Sequence, residues 1–80
     1  MEKFITMVYE GEKYDEQFGW EFGEVILFQS AEHYNPADAM EEFGKFQLPD
    51  DKPWFAYMRV MENGEIKDEE QFDTSTVKVD

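Results

Sequence analysis

The sequence predicts an α+β fold: an antiparallel sheet of four or five strands in the order β-β-α-β-β, with one helix packed on one face. Three observations carry this. Two runs rich in aromatic and β-branched residues open the chain, an Asn-Pro helix start stands near its middle, and Asn63-Gly64 joins two further extended runs.

The first strand is expected over residues 3–10, with Ile5, Met7 and Tyr9 on one face and Phe4, Thr6 and Val8 on the other. Gly11 opens a polar run to Gln17 that reads as a loop. A second strand, from about Trp20 to Gln29, places Trp20, Phe22, Ile26 and Phe28 on one parity. Gly23 beside Glu24 predicts a bulge that turns the carboxylate outward. In Asn35-Pro36-Ala37-Asp38, the asparagine caps a helix, the proline fits its first position and the acid complements the helix dipole. The helix should run from Pro36 to about Phe46. Its inward stripe is expected to be Ala39, Met40, Phe43 and Gln47, with Asp38, Glu41, Glu42 and Lys45 nearer solvent. Leu48 precedes Pro49 and is biased away from helix, so Pro49–Pro53 is a loop.

The third strand spans Trp54 to Glu62, and Asn63-Gly64 turns it back through two positive-φ positions. The returning strand starts at Glu65-Ile66-Lys67 and is expected to fade at Asp68-Glu69-Glu70, which is poor strand material. Thr74–Val79 forms a last edge strand or a tail. No repeat or linker interrupts residues 1–80, so a single domain is expected.

Charge and length narrow the function. The chain has 7 Lys+Arg against 20 Asp+Glu, a formal net charge of -13. Its lone arginine is Arg59, so direct binding to nucleic acid or an anionic membrane, which requires cationic side chains, is not expected. Disordered acidic chains are poor in aromatic residues, whereas this one is 18% aromatic and 41% hydrophobic, so it folds. Cysteine is absent, which excludes disulfides and thiolate metal sites and suits a reducing compartment. The start lacks the basic and apolar segments of a signal peptide, and Val25–Phe28 falls far short of the roughly 20 residues of a membrane span. A cytoplasmic location is expected.

Enzyme chemistry finds little support. His33 is the only histidine and stands just before the helix cap, where it reads as a boundary residue; a nucleophilic triad would have to rest on distant carboxylates. Carboxylate pairs are too abundant to be informative without a cleft that shifts their pKa. Glu62-Asn63-Gly64-Glu65 lacks the first ligands of a calcium loop, and Asp68-Glu69-Glu70 with Asp73 offers only weak cation binding. Gly19-Trp20-Glu21-Phe22-Gly23 is not a phosphate-cradling loop. No catalytic, cofactor-binding or metal residue is expected, and no cofactor.

The acids, in contrast, are grouped. Glu10, Glu12, Asp15 and Glu16 surround the first loop, and Glu62, Glu65, Asp68, Glu69, Glu70 and Asp73 cluster near the other end. A charge this large exceeds the magnitude of about 2–8 that solubility asks of a small domain, and it costs compactness through self-repulsion. Carboxylates at i and i+2 on a strand stand about 6.6 Å apart, comparable to neighbouring phosphates of one nucleic-acid strand. A sheet carrying such rows can occupy a basic groove, with exposed aromatics as anchors; Tyr14, Phe18 and Phe72 are the expected ones, while Trp20 and Trp54 are assigned to ordinary packing.

In its cysteine-free length, its acidic runs and its hairpin-helix-strand order from Lys3 to Val60, the chain resembles the small acidic inhibitors encoded by bacteriophages and mobile elements. These include DNA-mimicking anti-restriction proteins and anti-CRISPR proteins. The resemblance implies a non-enzymatic viral inhibitor that blocks the nucleic-acid site of a basic partner, such as a defence complex, nuclease or polymerase, while acting as a monomer or homodimer. Two alternatives stay open. One is an immunity protein or antitoxin that neutralises a basic nuclease; the other is a small acidic structural or assembly protein.

Overall fold

A computed structural model describes residues 1–77. Its elements are β1 (Glu2–Asp15), β2 (Gly19–Gln29), α1 (Pro36–Lys45), β3 (Trp54–Glu62) and β4 (Glu65–Ser75). The strands form one antiparallel sheet in the order β2-β1-β3-β4, and α1 lies against β1. The fold is α+β, in the order β-β-α-β-β.

The helix forms where its caps place it. Asn35 Oδ1 accepts the Ala37 N–H at 2.8 Å, Pro36 opens the first turn, and Asp38 and Lys45 sit at the ends that suit their charges. Alanine at position 39 lets the helix backbone come close enough for Thr6 Oγ1 to donate to the Ala39 carbonyl at 3.0 Å. Around this contact Val8, Trp54 and Ala56 make the core, joined by Leu27, Phe28, Phe43, Leu48 and Phe72. Phe46 stacks on Phe28 at 4.7 Å, and Phe43 meets Trp54 and Phe72 edge-on at 6.4 and 5.1 Å. Fully burying a side chain of this kind contributes about 1.5–3 kcal/mol, and the half-buried rings contribute a part of that.

The segment between β2 and α1 stays bonded to β1. Ser30 Oγ accepts the Thr6 N–H at 2.9 Å, and Ser30 N–H returns to the Thr6 carbonyl at 2.9 Å. Two further bonds join Phe4 to His33, which is thus fixed in a bridge at the helix entrance.

Four expectations need correction. β1 does not end before Gly11 but continues to Asp15, because residues 11–15 still pair with β2; only Glu16–Phe18 remain as the turn. β4 does not fade at Asp68-Glu69-Glu70, because β3 holds it in register from Glu65 to Ser75; tertiary pairing overrides weak propensity. The aromatic residues of β2 do not share a face. Leu27 is an extra residue between the Val8–Phe28 and Tyr9–Ile26 pairs, so Phe28 lies on the helix side while Ile26 lies on the other; Gly23, Glu24 and Val25 together oppose Glu10, which keeps Phe22 on the same side as Ile26. The bulge at Gly23 is present and Glu24 is exposed, as expected. Of the expected inward stripe, Met40 on α1 and Gln47 just past its end are exposed, and the C-cap residue Phe46 supplies the packing assigned to them. The Asn63-Gly64 turn has the expected positive φ values, 54° and 80°. Lys78 and Val79 of the expected last strand lie outside the described residues, whereas Thr74 and Ser75 belong to β4.

Candidate anionic edge and aromatic face

β4 is an edge strand, and Glu65, Asp68, Glu69, Glu70 and Asp73 are all exposed along it. Opposite them on β3 stand Glu62, Val60, Arg59, Met58 and Ala56. Among the described residues, only Glu69 of these five acids has an ion pair: the Arg59 Nε meets its Oε2 at 2.7 Å. Burial works against the Arg59 charge, but Glu69 and the Tyr9 hydroxyl more than offset it, so the guanidinium pKa rises. Lys67, the one cation on β4, turns to Glu62 and Glu2 at 3.3 Å each, which raises its pKa. Asp68 Oδ1 accepts the Glu69 N–H at 2.9 Å and Asp73 Oδ1 accepts the Thr74 N–H at 2.8 Å. These two carboxylates are held against the strand, and they occupy two backbone donors of the edge. Glu65, Asp68, Glu70 and Asp73 thus form an uncompensated anionic row among the described residues.

The first acidic stretch lies elsewhere. The last β1–β3 pair is Glu10 with Trp54, so Gly11–Asp15 belong to a two-stranded ribbon with β2. Asp15 Oδ1 closes its turn by accepting the Gln17 and Phe18 N–H groups at 2.7 and 3.1 Å. Glu12, Asp15 and Glu16 are exposed there, and Glu10 is half-buried. Glu10, Glu12 and Glu24 line a concavity of about 340 Å³ with Gly11, Gly23 and Val25. Because β2 and β4 are opposite edges of the sheet, the two acidic stretches are not gathered into one patch. Glu62 sits with Glu2 and Lys67 at the β3–β4 turn.

The expected anchors divide. Phe18 is 79% exposed at the ribbon tip and Tyr14 is 46% exposed, its ring edge-on to Trp20 at 5.3 Å. Phe72 is no anchor: it is the extra residue where β4 bulges between Asp73 and Gln71, and its half-buried ring packs on Phe43. Trp54 is buried and Trp20 is half-buried, its Nε1–H donating to the Val77 carbonyl at 3.0 Å. His33 bonds the Glu42 carboxylate through Nε2. That bond, with another from the Ala31 N–H, lowers the Glu42 pKa below the ordinary carboxylate value.

Sequence reasoning missed the face of the sheet that lacks the helix. Tyr9 is paired with Phe55 and Met7 with Tyr57, and the Phe22 ring crosses over β1 to join them. It lies 5.8 Å from Tyr9, 5.5 Å from Tyr57 and 6.4 Å from Phe55. Its cross-strand partner is Gly11, where a Cβ would meet the Pro53 ring at 2.8 Å. Phe22 is 55% exposed and Ile26 47%, while Met7 and Ile5 beneath are buried. The Arg59 guanidinium lies on this face, with Nη2 donating to the Tyr9 hydroxyl at 2.7 Å. The signal was available: β1 and β3 are apolar on both faces, and one helix can cover only one.

No family model, no curated protein and no solved structure matches this chain. Among the described residues no helix is long and apolar enough to cross a membrane, and no group of three or more His, Cys, Asp or Glu side chains is placed to hold a metal ion.

Proposed function

We propose that this protein is a non-enzymatic inhibitor, of the counter-defence kind its composition resembles, that presents β4 as a polyanion to the nucleic-acid groove of a basic partner. One observation carries this reading. A strand that propensity alone would not form is held extended by β3, and its row of carboxylates lacks cationic partners among the described residues. From Glu65 to Asp73 that row runs for roughly 25 Å at the usual rise of a strand. Like charges set side by side cost stability, so a row left without counter-charges favours a cationic surface as its complement. With the acids of the ribbon at the opposite edge, β4 alone supplies the decoy.

The Asp68 and Asp73 bonds to backbone N–H groups favour a second reading, in which the acids guard an edge strand against pairing with other chains and the protein is a soluble assembly module. Competition separates the two. The protein is immobilised, a partner is captured from the cell of origin and identified, and a duplex or single-stranded oligonucleotide is titrated in. A mimic is displaced by the oligonucleotide and loses affinity steeply with salt. Simultaneous binding of partner and oligonucleotide, or affinity indifferent to salt, would overturn the proposal.

A further inference from the structure

The helix-free face, rather than the acidic edge, is where a partner would be gripped. Phe22 and Ile26 are exposed, with Tyr9 and Tyr57 half-buried beside them, in a chain whose helix covers only the opposite side. Contiguous exposed apolar surface of this kind marks interaction sites.

Charge selects the occupant. A second copy would bring two bodies of formal charge -13 face to face. Of the cations on this face among the described residues, Arg59 is already engaged by Glu69 and Tyr9 and Lys3 by Glu32, which leaves little for a second set of carboxylates. A cationic surface meets no such obstacle. Arg59 itself shows how the face holds a guanidinium: one nitrogen bonds the Glu69 carboxylate at 2.7 Å and another the Tyr9 hydroxyl at 2.7 Å. Aromatic faces attract cations through their ring quadrupoles, arginine most often among side chains.

We propose that the helix-free face is the docking surface for a basic protein segment in which arginine is flanked by apolar side chains. The apolar groups seat on Phe22 and Ile26, and the guanidinium lies against the Tyr9 and Tyr57 rings. This rests on the partner class assigned above, a basic protein, and adds the place where it is held: the β4 carboxylates accelerate encounter, and the aromatic face sets the lifetime of the complex.

The test uses a short synthetic peptide alternating arginine and leucine, and a control of equal charge alternating arginine and serine, each titrated into the isotope-labelled protein. The expected result is that the arginine–leucine peptide shifts the ring signals of Phe22, Tyr9 and Tyr57 and the Ile26 methyls. Phe22→Ser/Ile26→Ser, checked for a native spectrum, should weaken it by roughly thirtyfold, as loss of a hot spot does. Glu65→Lys/Glu70→Lys should instead slow association and flatten the salt dependence while leaving the ring shifts in place. Shifts confined to β4, or equal binding of the serine control, would overturn the docking face and leave the anionic edge standing. Failure of the arginine–leucine peptide to bind would overturn it too. Self-association of the free protein that vanishes in Phe22→Ser/Ile26→Ser, seen by sedimentation, would replace the basic occupant with a second copy.

Discussion

Replacing Ser30 with alanine tests the joint between sheet and helix. Ser30 Oγ accepts the Thr6 N–H at 2.9 Å, and the two residues are 5% and 0% exposed, so water cannot serve as substitute. A buried donor left without an acceptor costs roughly 1–3 kcal/mol. Thr6→Val breaks a different bond of the same node, Thr6 Oγ1 to the Ala39 carbonyl. That carbonyl keeps the helical N–H four residues on, and valine preserves the volume, so the loss is only the net worth of one hydrogen bond, about 0.5–1.5 kcal/mol. Ser30→Ala should therefore be the more damaging change. In a domain of this size each kcal/mol lowers Tm by about 4–8 °C. Urea unfolding followed by the fluorescence of buried Trp54, in a Trp20→Phe background, measures both. A cost for Thr6→Val equal to or above that of Ser30→Ala would refute the assignment of the Thr6 N–H as the critical donor. A changed m-value would show that the comparison is not between the same two states.

Three further outcomes are expected. Hydrogen bonds from His33 and Ala31 lower the folded-state pKa of Glu42, so their stabilisation is present above the ordinary carboxylate pKa and lost as pH falls through the lowered value. The stability gap between wild type and Glu42→Gln should close on acidification below about pH 4, and a gap unchanged there would mean the carboxylate charge is not what is held. Burial, then Glu69 and Tyr9, raises the Tyr57 pKa, so its contribution is complete below the ordinary phenol value and lost as pH rises through the raised one. Above about pH 10 the wild type should lose stability faster than Tyr57→Phe in denaturant titrations, and parallel curves would argue against it. Two glycine-to-alanine changes should act in opposite directions in thermal melts. At Gly23 a Cβ would come within 2.8 Å of the Glu12 Cβ and 3.2 Å of the Glu10 carbonyl, forcing the strands apart at a cost of about 1–3 kcal/mol. At Gly44 nothing lies within 4 Å, and alanine in the helix should add roughly 0.5–1 kcal/mol.

What could be read from the sequence was local chemistry. Asn35-Pro36 and Asn63-Gly64 act through their own side chains or φ angles, so helix start and hairpin stood where expected. The alternation of Ile5, Met7 and Tyr9 against Phe4, Thr6 and Val8 survived because β1 is uninterrupted beside β3. The misplaced elements depend on a neighbour. Asp68-Glu69-Glu70 is extended because β3 supplies the partner, and the parity of β2 was lost because Leu27 is an extra residue between the pairs Val8–Phe28 and Tyr9–Ile26. For the same reason Phe72, exposed by its acidic company in the chain, is claimed by Phe43 across space. Of the candidate site, the acidic row was visible residue by residue. The aromatic cluster was not, since Phe22 meets Tyr57 only across a strand whose opposing residue is Gly11.

Past Gly11, whose N–H still bonds the Pro53 carbonyl at 2.9 Å, the two leading strands run on without pairing to β3 and without the helix core beneath. Strand pairs of that sort are marginal by themselves. Amide protons from Glu12 to Phe18 should be surrendered to deuterated solvent well ahead of those of Ile5–Val8, and a protease would bite first at the Phe18 tip. The molecule thus carries a narrow finger beside a firm palm, its Trp20 indole still bonded to the Val77 carbonyl of the segment after β4.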